Sequence, residues 1–339
     1  MKHWQQYNLE ERLQILDITS AEKGLPRLAV EKDWWVVMVL KALSQTQYAH
    51  LASFKGGTSL SKGWSLIERF SEDIDVALRR EGRFAISGTS NTQLAKARRM
   101  ARHYIVRELP EELAKALSAL GVSDFTVEPE TSKNKGGEQY ELRADTHPSV
   151  IYVNYKSVID ETSEYLLPRV KIEISCLSMD EPVEEKTIRS FISEAIPEAE
   201  DVSVNFNTVI PTRTFLEKIF LLHEEFQKKK PRSYRMSRHL YDLEKIMDTS
   251  FGKDALADKN LYDEIVKHRS IFNRMSFVDY TTHAPATVNF IPSEEVKPDW
   301  ENDYNALTEH FLYYNEVKLS FGELMNRIEE LLARIRGME

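Results

Sequence analysis

Hydrophobic positions along this chain change period twice, and the changes predict three kinds of segment. Apolar side chains recur at helical spacing over residues 9–20 and again over 30–43, where Trp34, Val37, Met38 and Lys41 share the interval. A short apolar run, 51–55, then meets two glycines. This reads as strand, glycine turn, helix (58–66) and a second strand (71–78) whose alternate residues Ile74, Val76 and Leu78 are apolar. A polar connection (79–91) leads to a long helical pattern over 92–120, interrupted near Pro110 because proline lacks the N–H and crowds the preceding turn. Strand-like runs follow at 125–127, 140–143, 149–155 and 169–177, with a hairpin-turn composition at 133–137. After a helix near 184–196 and a strand near 202–209, the pattern is helical to the end, and 281–300, which contains Pro285, Pro292 and Pro298, is the expected long loop. The predicted class is α+β. The predicted division is a strand-bearing part, 1–210, and a helical part, 211–339.

Composition narrows the functions available. At 339 residues and 42% hydrophobic the chain can bury a full core. No apolar run approaches the ~18 residues of a membrane span, and the first fourteen residues, MKHWQQYNLEERLQ, carry charges where a signal peptide would be apolar. A cytoplasmic protein with no membrane contact is expected. The single cysteine, Cys176, excludes an intramolecular disulfide and a cysteine-cluster zinc site, and reads as a small buried hydrophobe. A formal charge of −9 means that nucleic acid could be met only by local basic patches. Two exist: Lys96, Arg98, Arg99, Arg102 and Arg107 with no acid among them, and residues 211–238, where Lys228, Lys229, Lys230, Arg232 and Arg235 cluster. Taken alone, either reads as a solvated helix face; beside a nucleotide site it becomes a candidate nucleic-acid contact.

The candidate chemistry is concentrated in FKGGTSLSKGWSLIERFSEDIDVAL, residues 54–78. Gly56 and Gly57 have no Cβ to hold a triphosphate away from the backbone, and Thr58, Ser59 and Lys62 place hydroxyls and a cation beside the turn. Asp73 and Asp75 project from one face of their predicted strand, a pair of hard oxygen donors suited to Mg²⁺ or Mn²⁺ shared with nucleotide phosphates. In RVKIEIS, Lys171, Glu173 and Ser175 alternate with apolar residues. Glu173 is then either a third carboxylate beside the aspartates or half of a Lys–Glu surface pair. Thr214 and Glu217 have capping-box spacing, and Lys218, at the edge of the following apolar arc, either reaches solvent or enters a cleft. Arg235, His239 and Asp242 stack at helical intervals, which suggests an intrahelical row with His239 against Asp242.

These blocks resemble the nucleotidyltransferase AbiEii/AbiGii toxin family, a branch of the DNA polymerase β-like nucleotidyltransferases that includes the MenT toxins. The resemblance rests on AVEKDWWVVMVLKAL, the 54–78 segment, RVKIEIS, TFLEKIFLLHEE and YRMSRHLYDL, in that order. It implies a polymerase β-like mixed-sheet core with N-terminal helices and a helical C-terminal domain that completes the active-site cleft. It also implies divalent-metal-dependent transfer of a nucleoside monophosphate from an NTP to an acceptor, which in some relatives is the tRNA 3′ end. A toxin–antitoxin or phage-defence role and a cognate antitoxin go with it. Position by position, Gly56, Gly57, Thr58 and Ser59 match the glycine-hydroxyl turn, Asp73 and Asp75 the metal pair, and Glu173 the strand carboxylate. Lys218 matches the helix lysine and Asp242 the acid of the last motif. Where many members carry an acid after the basic residue of that motif, His239 follows Arg238 here. Transfer to a protein hydroxyl, and a nucleotide- or partner-binding module without turnover, are the competing functions.

Overall fold

The computed structural model describes residues 2–161, 163, 166–179, 182–313 and 316–338. By contacts the chain forms two compact units: Met1–Gly63 with Phe70–Thr208, and Trp64–Arg69 with Val209–Glu339. The predicted single cut near Ile210 therefore misses one segment, since Trp64–Arg69 groups with the C-terminal residues.

The first unit is built on a seven-stranded mixed sheet in the order β3-β6-β7-β2-β1-β9-β8. Its strands are β1 (Ala52–Lys55), β2 (Ile74–Leu78), β3 (Phe125–Pro129), β6 (Ser149–Tyr155), β7 (Arg169–Ser175), β8 (Val183–Arg189) and β9 (Ser203–Val209). A separate hairpin, β4 (Ser132–Lys135) and β5 (Glu138–Glu141), turns through Gly136 and Gly137, both at positive φ. β2 runs antiparallel to β1 and parallel to β7. One face of the central strands is aliphatic: Ile74, Val76, Ile151, Val153, Val170, Ile172 and Ile174 are all buried, each such side chain contributing about 1.5–3 kcal/mol. Helix α2 (Arg27–Leu43) lies on that face, with Trp35 stacked on Tyr155 at 4.7 Å between ring centroids. Helix α1 (Leu9–Lys23) precedes it, opened by a capping box between Asn8 and Glu11.

The glycine turn is a short helix, α3 (Gly56–Thr58), continuing into a wider π turn over Ser59–Gly63, shorter than the predicted helix. The pattern over 92–120 resolves into α4 (Asn91–Arg107) and α5 (Leu109–Ala119), with Pro110 in the first turn of α5, where its missing N–H costs nothing. One element differs in kind. The helix predicted near 184–196 is strand β8 followed by the short helix α6 (Phe191–Ala195). β8 is an edge strand with mostly exposed residues, so charged side chains diluted the two-residue alternation that would have marked it.

The second unit is helical. α7 (Pro211–Phe226) packs against α8 (Ser237–Met247), α9 (Ser250–Ala257) and α10 (Lys259–Phe272), and α8 also meets α11 (Lys297–His310) and α12 (Phe321–Arg336). Its core includes Phe215, Ile219, Phe220, Leu240, Leu243, Ile246, Ile328 and Leu331. α7 starts at Pro211 with Ile210 as its cap, so the Thr214–Glu217 spacing lies inside the helix rather than opening it. Among the described residues, no helix is long and apolar enough to cross a membrane.

Candidate active site

The polar face of the central strands carries the acidic residues. In the parallel pairing of β2 with β7, Asp75 stands opposite Glu173, and in the antiparallel pairing with β1 it stands opposite Lys55. Residues paired in register share a face, so Lys55, Asp75 and Glu173 line up across three adjacent strands. Gly56 follows Lys55 at φ +78°, and a Cβ built on it would lie 2.0 Å from Asp75 Oδ2. Glycine is required twice here, by the left-handed backbone and by the carboxylate against it.

The electrostatics follow from crowding. Burial, reinforced by the charges of Glu173 and Asp73, pushes the Asp75 carboxyl up to about 6, while Lys55 and Lys171 oppose the rise. Lys171 Nζ donates to Glu173 Oε2 at 2.8 Å. Burial works against that ammonium, yet Glu173, Asp73 and Asp75 hold its pKa above the ordinary lysine value. Farther along β7, Ser175 Oγ lies 3.1 Å from His147 Nε2. Burial, with Arg98 and Lys55 nearby, lowers His147 to about 4, so the ring is neutral at pH 7.

Hard carboxylate oxygens side by side, one reluctant to ionise unaided, fit a divalent cation in chemistry. Among the described residues, no three His, Cys, Asp or Glu side chains gather into a metal-binding group by themselves, so an ion here would rest on the Asp75–Glu173 pair together with nucleotide phosphates. The structure brings Asp75 and Glu173 together. Asp73 acts on Asp75 through its charge, but it precedes the paired part of β2, and the foreseen three-carboxylate cluster is a register pair plus a neighbour.

The turn's other side chains face inward. Thr58 is buried, its hydroxyl donating to the Asp73 carbonyl at 2.5 Å and lying 2.9 Å from Ser71 Oγ. Ser59, also buried, donates to the Gly56 carbonyl at 2.9 Å. Thr58 thus braces the turn against the acidic strand, and Ser59 braces the turn on itself. Lys62, read from sequence as a cation for phosphates, has its ammonium 3.0 Å from Asp33 Oδ1 and 3.8 Å over the Phe191 ring. Its charge is spent in the core, so the cations that share the carboxylate face are Lys55 and Lys171.

Lys218 and Asp242 meet within the second unit. Arg69 grips Asp242 with two bonds, Nε to Oδ1 at 2.7 Å and Nη2 to Oδ2 at 2.8 Å, and Lys218 Nζ lies 2.8 Å from Oδ2. Burial alone would raise the Asp242 carboxyl; Arg69 and Lys218 overcome it and hold it far below the usual range. Burial lowers Lys218, and Asp242 only partly restores it. His239 Nδ1 lies 3.4 Å from Lys218 Nζ, and burial with the surrounding cations drives its pKa well below the usual histidine value. The predicted Arg235–His239–Asp242 row does not form. Arg235 precedes α8 at φ +59°, its N–H donating to Asp303, and the Asp242 carboxylate is taken by Arg69 and Lys218.

Sequence reasoning passed over Lys55, His147 and Arg69. Lys55 could have been found from its place beside the glycines, because the residue ending a strand before such a turn faces the neighbouring strand's end. His147 and Arg69 lie outside any periodic segment and carry no local signal.

Comparison with known proteins identifies the fold and the family. The fold is similar to that of MenT4, a nucleotidyltransferase toxin from Mycobacterium tuberculosis H37Rv, with a TM-score of 0.54 and 15% identity over 96% of this chain and 90% of that one. Curated proteins give no sequence match. A family model described as nucleotidyl transferase AbiEii toxin, type IV toxin–antitoxin system, matches residues 39–334. Spanning both units, that match settles the matter of kinship: the chain belongs to the AbiEii family of nucleotidyltransferase toxins.

Proposed function

We propose that this toxin transfers a nucleoside monophosphate from an NTP to the 3′-hydroxyl of an RNA such as tRNA, releasing pyrophosphate, with Mg²⁺ or Mn²⁺ as cofactor, in the cytoplasm. The observation that carries the reading is the Asp75–Glu173 register across β2 and β7, beside a glycine that only a missing Cβ makes possible. Asp75 and Glu173, with Asp73 next to them, would hold the ion. When bound, the ion supplies charge neutralisation at the triphosphate and polarises the phosphorus that is attacked. Gly56 lets the backbone of the turn approach the phosphates, and Lys55 sets a positive charge on the same face. Glu173, bonded at Oε2 by Lys171, either completes the metal site or takes the proton of the attacking hydroxyl. Lys171 and Arg169, the latter 4.4 Å over the Tyr152 ring, extend the face with cations and an aromatic surface suited to a single strand. Lys218 and Asp242, matched by resemblance to the helix lysine and the acid of the last motif, are part of the proposed catalytic set. Lys218→Met should lose transfer while its unfolding midpoint stays close to the parent's. An antitoxin partner follows from the family.

The test is incubation of the purified protein with each labelled NTP, Mg²⁺, and either total tRNA or total protein, followed by sequencing of RNA 3′ ends. Label entering tRNA, lost in Asp75→Asn, is the expected result. Label entering only the protein pool would replace the acceptor assigned here, and no label in any pool would remove the reading.

A further inference from the structure

Three consecutive charged residues, Glu31, Lys32 and Asp33, are buried in the middle of α2. Successive helical residues diverge by about 100°, so these side chains leave the helix in three directions and each meets different segments of the first unit. Glu31 accepts the Ser157 hydroxyl at 2.5 Å and the Val158 N–H at 2.9 Å. Lys32 Nζ lies 2.5 Å from Glu72 Oε2 and donates to the Leu167 carbonyl at 3.0 Å. Asp33 binds Lys62 and accepts the Phe191 N–H at 2.6 Å, and Lys62 is also 3.6 Å from Glu194.

Two of these tethered residues adjoin the carboxylate face. Glu72 immediately precedes Asp73, and Lys62 sits in the π turn that continues from Gly56 and Gly57. Thr58 joins the two tethered segments through the Asp73 carbonyl and Ser71. If holding α2 in place were the only need, apolar side chains would do it better, because desolvating ions often outweighs their attraction. What a buried ion pair adds is a fixed position for each partner.

We propose that Lys32 and Asp33 are positioning residues for the transfer reaction: Lys32, through Glu72, sets the Asp73–Asp75 strand for the divalent cation, and Asp33, through Lys62, sets the diglycine turn for the phosphates. This rests on the nucleotidyl-transfer reading. The test compares Lys32→Met/Glu72→Gln and Asp33→Asn/Lys62→Met, each of which removes both members of a pair so that no lone buried charge remains, with Leu40→Ala, an uncharged loss from the same helix. Mg²⁺ affinity is read from the rise in unfolding temperature with ion concentration, and NTP affinity by calorimetry, on the full-length chain.

The first double variant should need roughly tenfold more Mg²⁺, the scale on which second-layer partners tune metal sites, with NTP affinity changed less than about twofold. The second should show the reverse split. Leu40→Ala should lower the unfolding temperature and leave both affinities at parental values. Folded double variants with unchanged affinities, or affinities that fall together in step with stability, would overturn the proposal. If a double variant fails to fold, Lys32→Arg and Asp33→Glu, which keep the charge and shift it by about one bond, must give the same split. Parental protein that binds Mg²⁺ and NTP yet labels no acceptor would defeat the transfer reading alone, since the two affinities decide the positioning roles independently.

Discussion

A carboxylate forced to ionise against its surroundings stores free energy that a cation can release, and Asp75 is such a group. Its carboxyl rises from 3.8 to about 6 on folding. Below the lower value both folded and unfolded forms are protonated and no cost arises; as pH climbs through 6 the folded state must carry the charge, and the cost is complete above it. Without divalent ion, Asp75→Asn should therefore be more stable than the parent by about 3 kcal/mol at pH 8, the gap closing as pH falls toward about 4. Chemical denaturation across that range measures it, and a gap that is flat with pH would remove the explanation. Added Mg²⁺ should raise the parent's unfolding temperature and leave that of the variant unmoved. Gly56→Ala tests the neighbouring constraint. With its Cβ directed onto Asp75 Oδ2 and φ at +78°, it should cost about 1–3 kcal/mol of stability and abolish transfer, whereas Gly82→Ala, also at positive φ but with open space around its Cβ, should cost stability alone.

Among elements, α7 and α8 share a charge cluster whose members are not equivalent. Asp242 is fully buried under two cations. Arg69→Met removes the bidentate partner and should destabilise the second unit by about 3–5 kcal/mol, the cost of an undercompensated buried charge. Lys218→Met leaves Asp242 paired with Arg69 and should cost far less. Thermal unfolding of the two variants separates them, and equal losses would mean that the pairing is not hierarchical. The same elements show where sequence patterns carry information. The apolar arc of α7 and the stripe of α8 were readable because their periods repeat over several turns, and β7 was readable because its alternation is unbroken. β8 was not readable, since an exposed edge strand has no buried face to impose alternation. Nor was the burial of Glu31, Lys32 and Asp33: a charge run on a helix is solvated in most contexts, and only partners far along the chain make this one internal.

For the whole molecule, a formal charge of −9 sets limits on how an RNA could be held. Several cations of the basic runs are already engaged. Arg102 donates to the Glu130 carbonyl, and Lys228 and Arg232 both meet Glu225. If about three phosphates are contacted, raising monovalent salt from about 50 to 200 mM should weaken acceptor binding roughly twentyfold to fortyfold. Fluorescence anisotropy with tRNA measures this. A loss of several thousandfold would require many more than three phosphate contacts, and no loss would argue against a nucleic-acid acceptor.

What the amino-acid order determined by itself was local: which segments repeat at helical or strand period, where glycine frees the backbone, and which acids share a strand face. Those features depend on neighbours within a few residues, so they survive without a fold. Tertiary structure alone decided the meetings. Ninety-eight positions separate Asp75 from Glu173, and only the parallel pairing of β2 with β7 puts them in register. The capture of Lys62 by Asp33, the grip of Arg69 on Asp242, and the approach of His147 to Ser175 likewise depend on segments distant in the chain. Side-chain charge is written in the sequence, but whether that charge serves a ligand, a partner in the core or the solvent depends on what the fold places beside it.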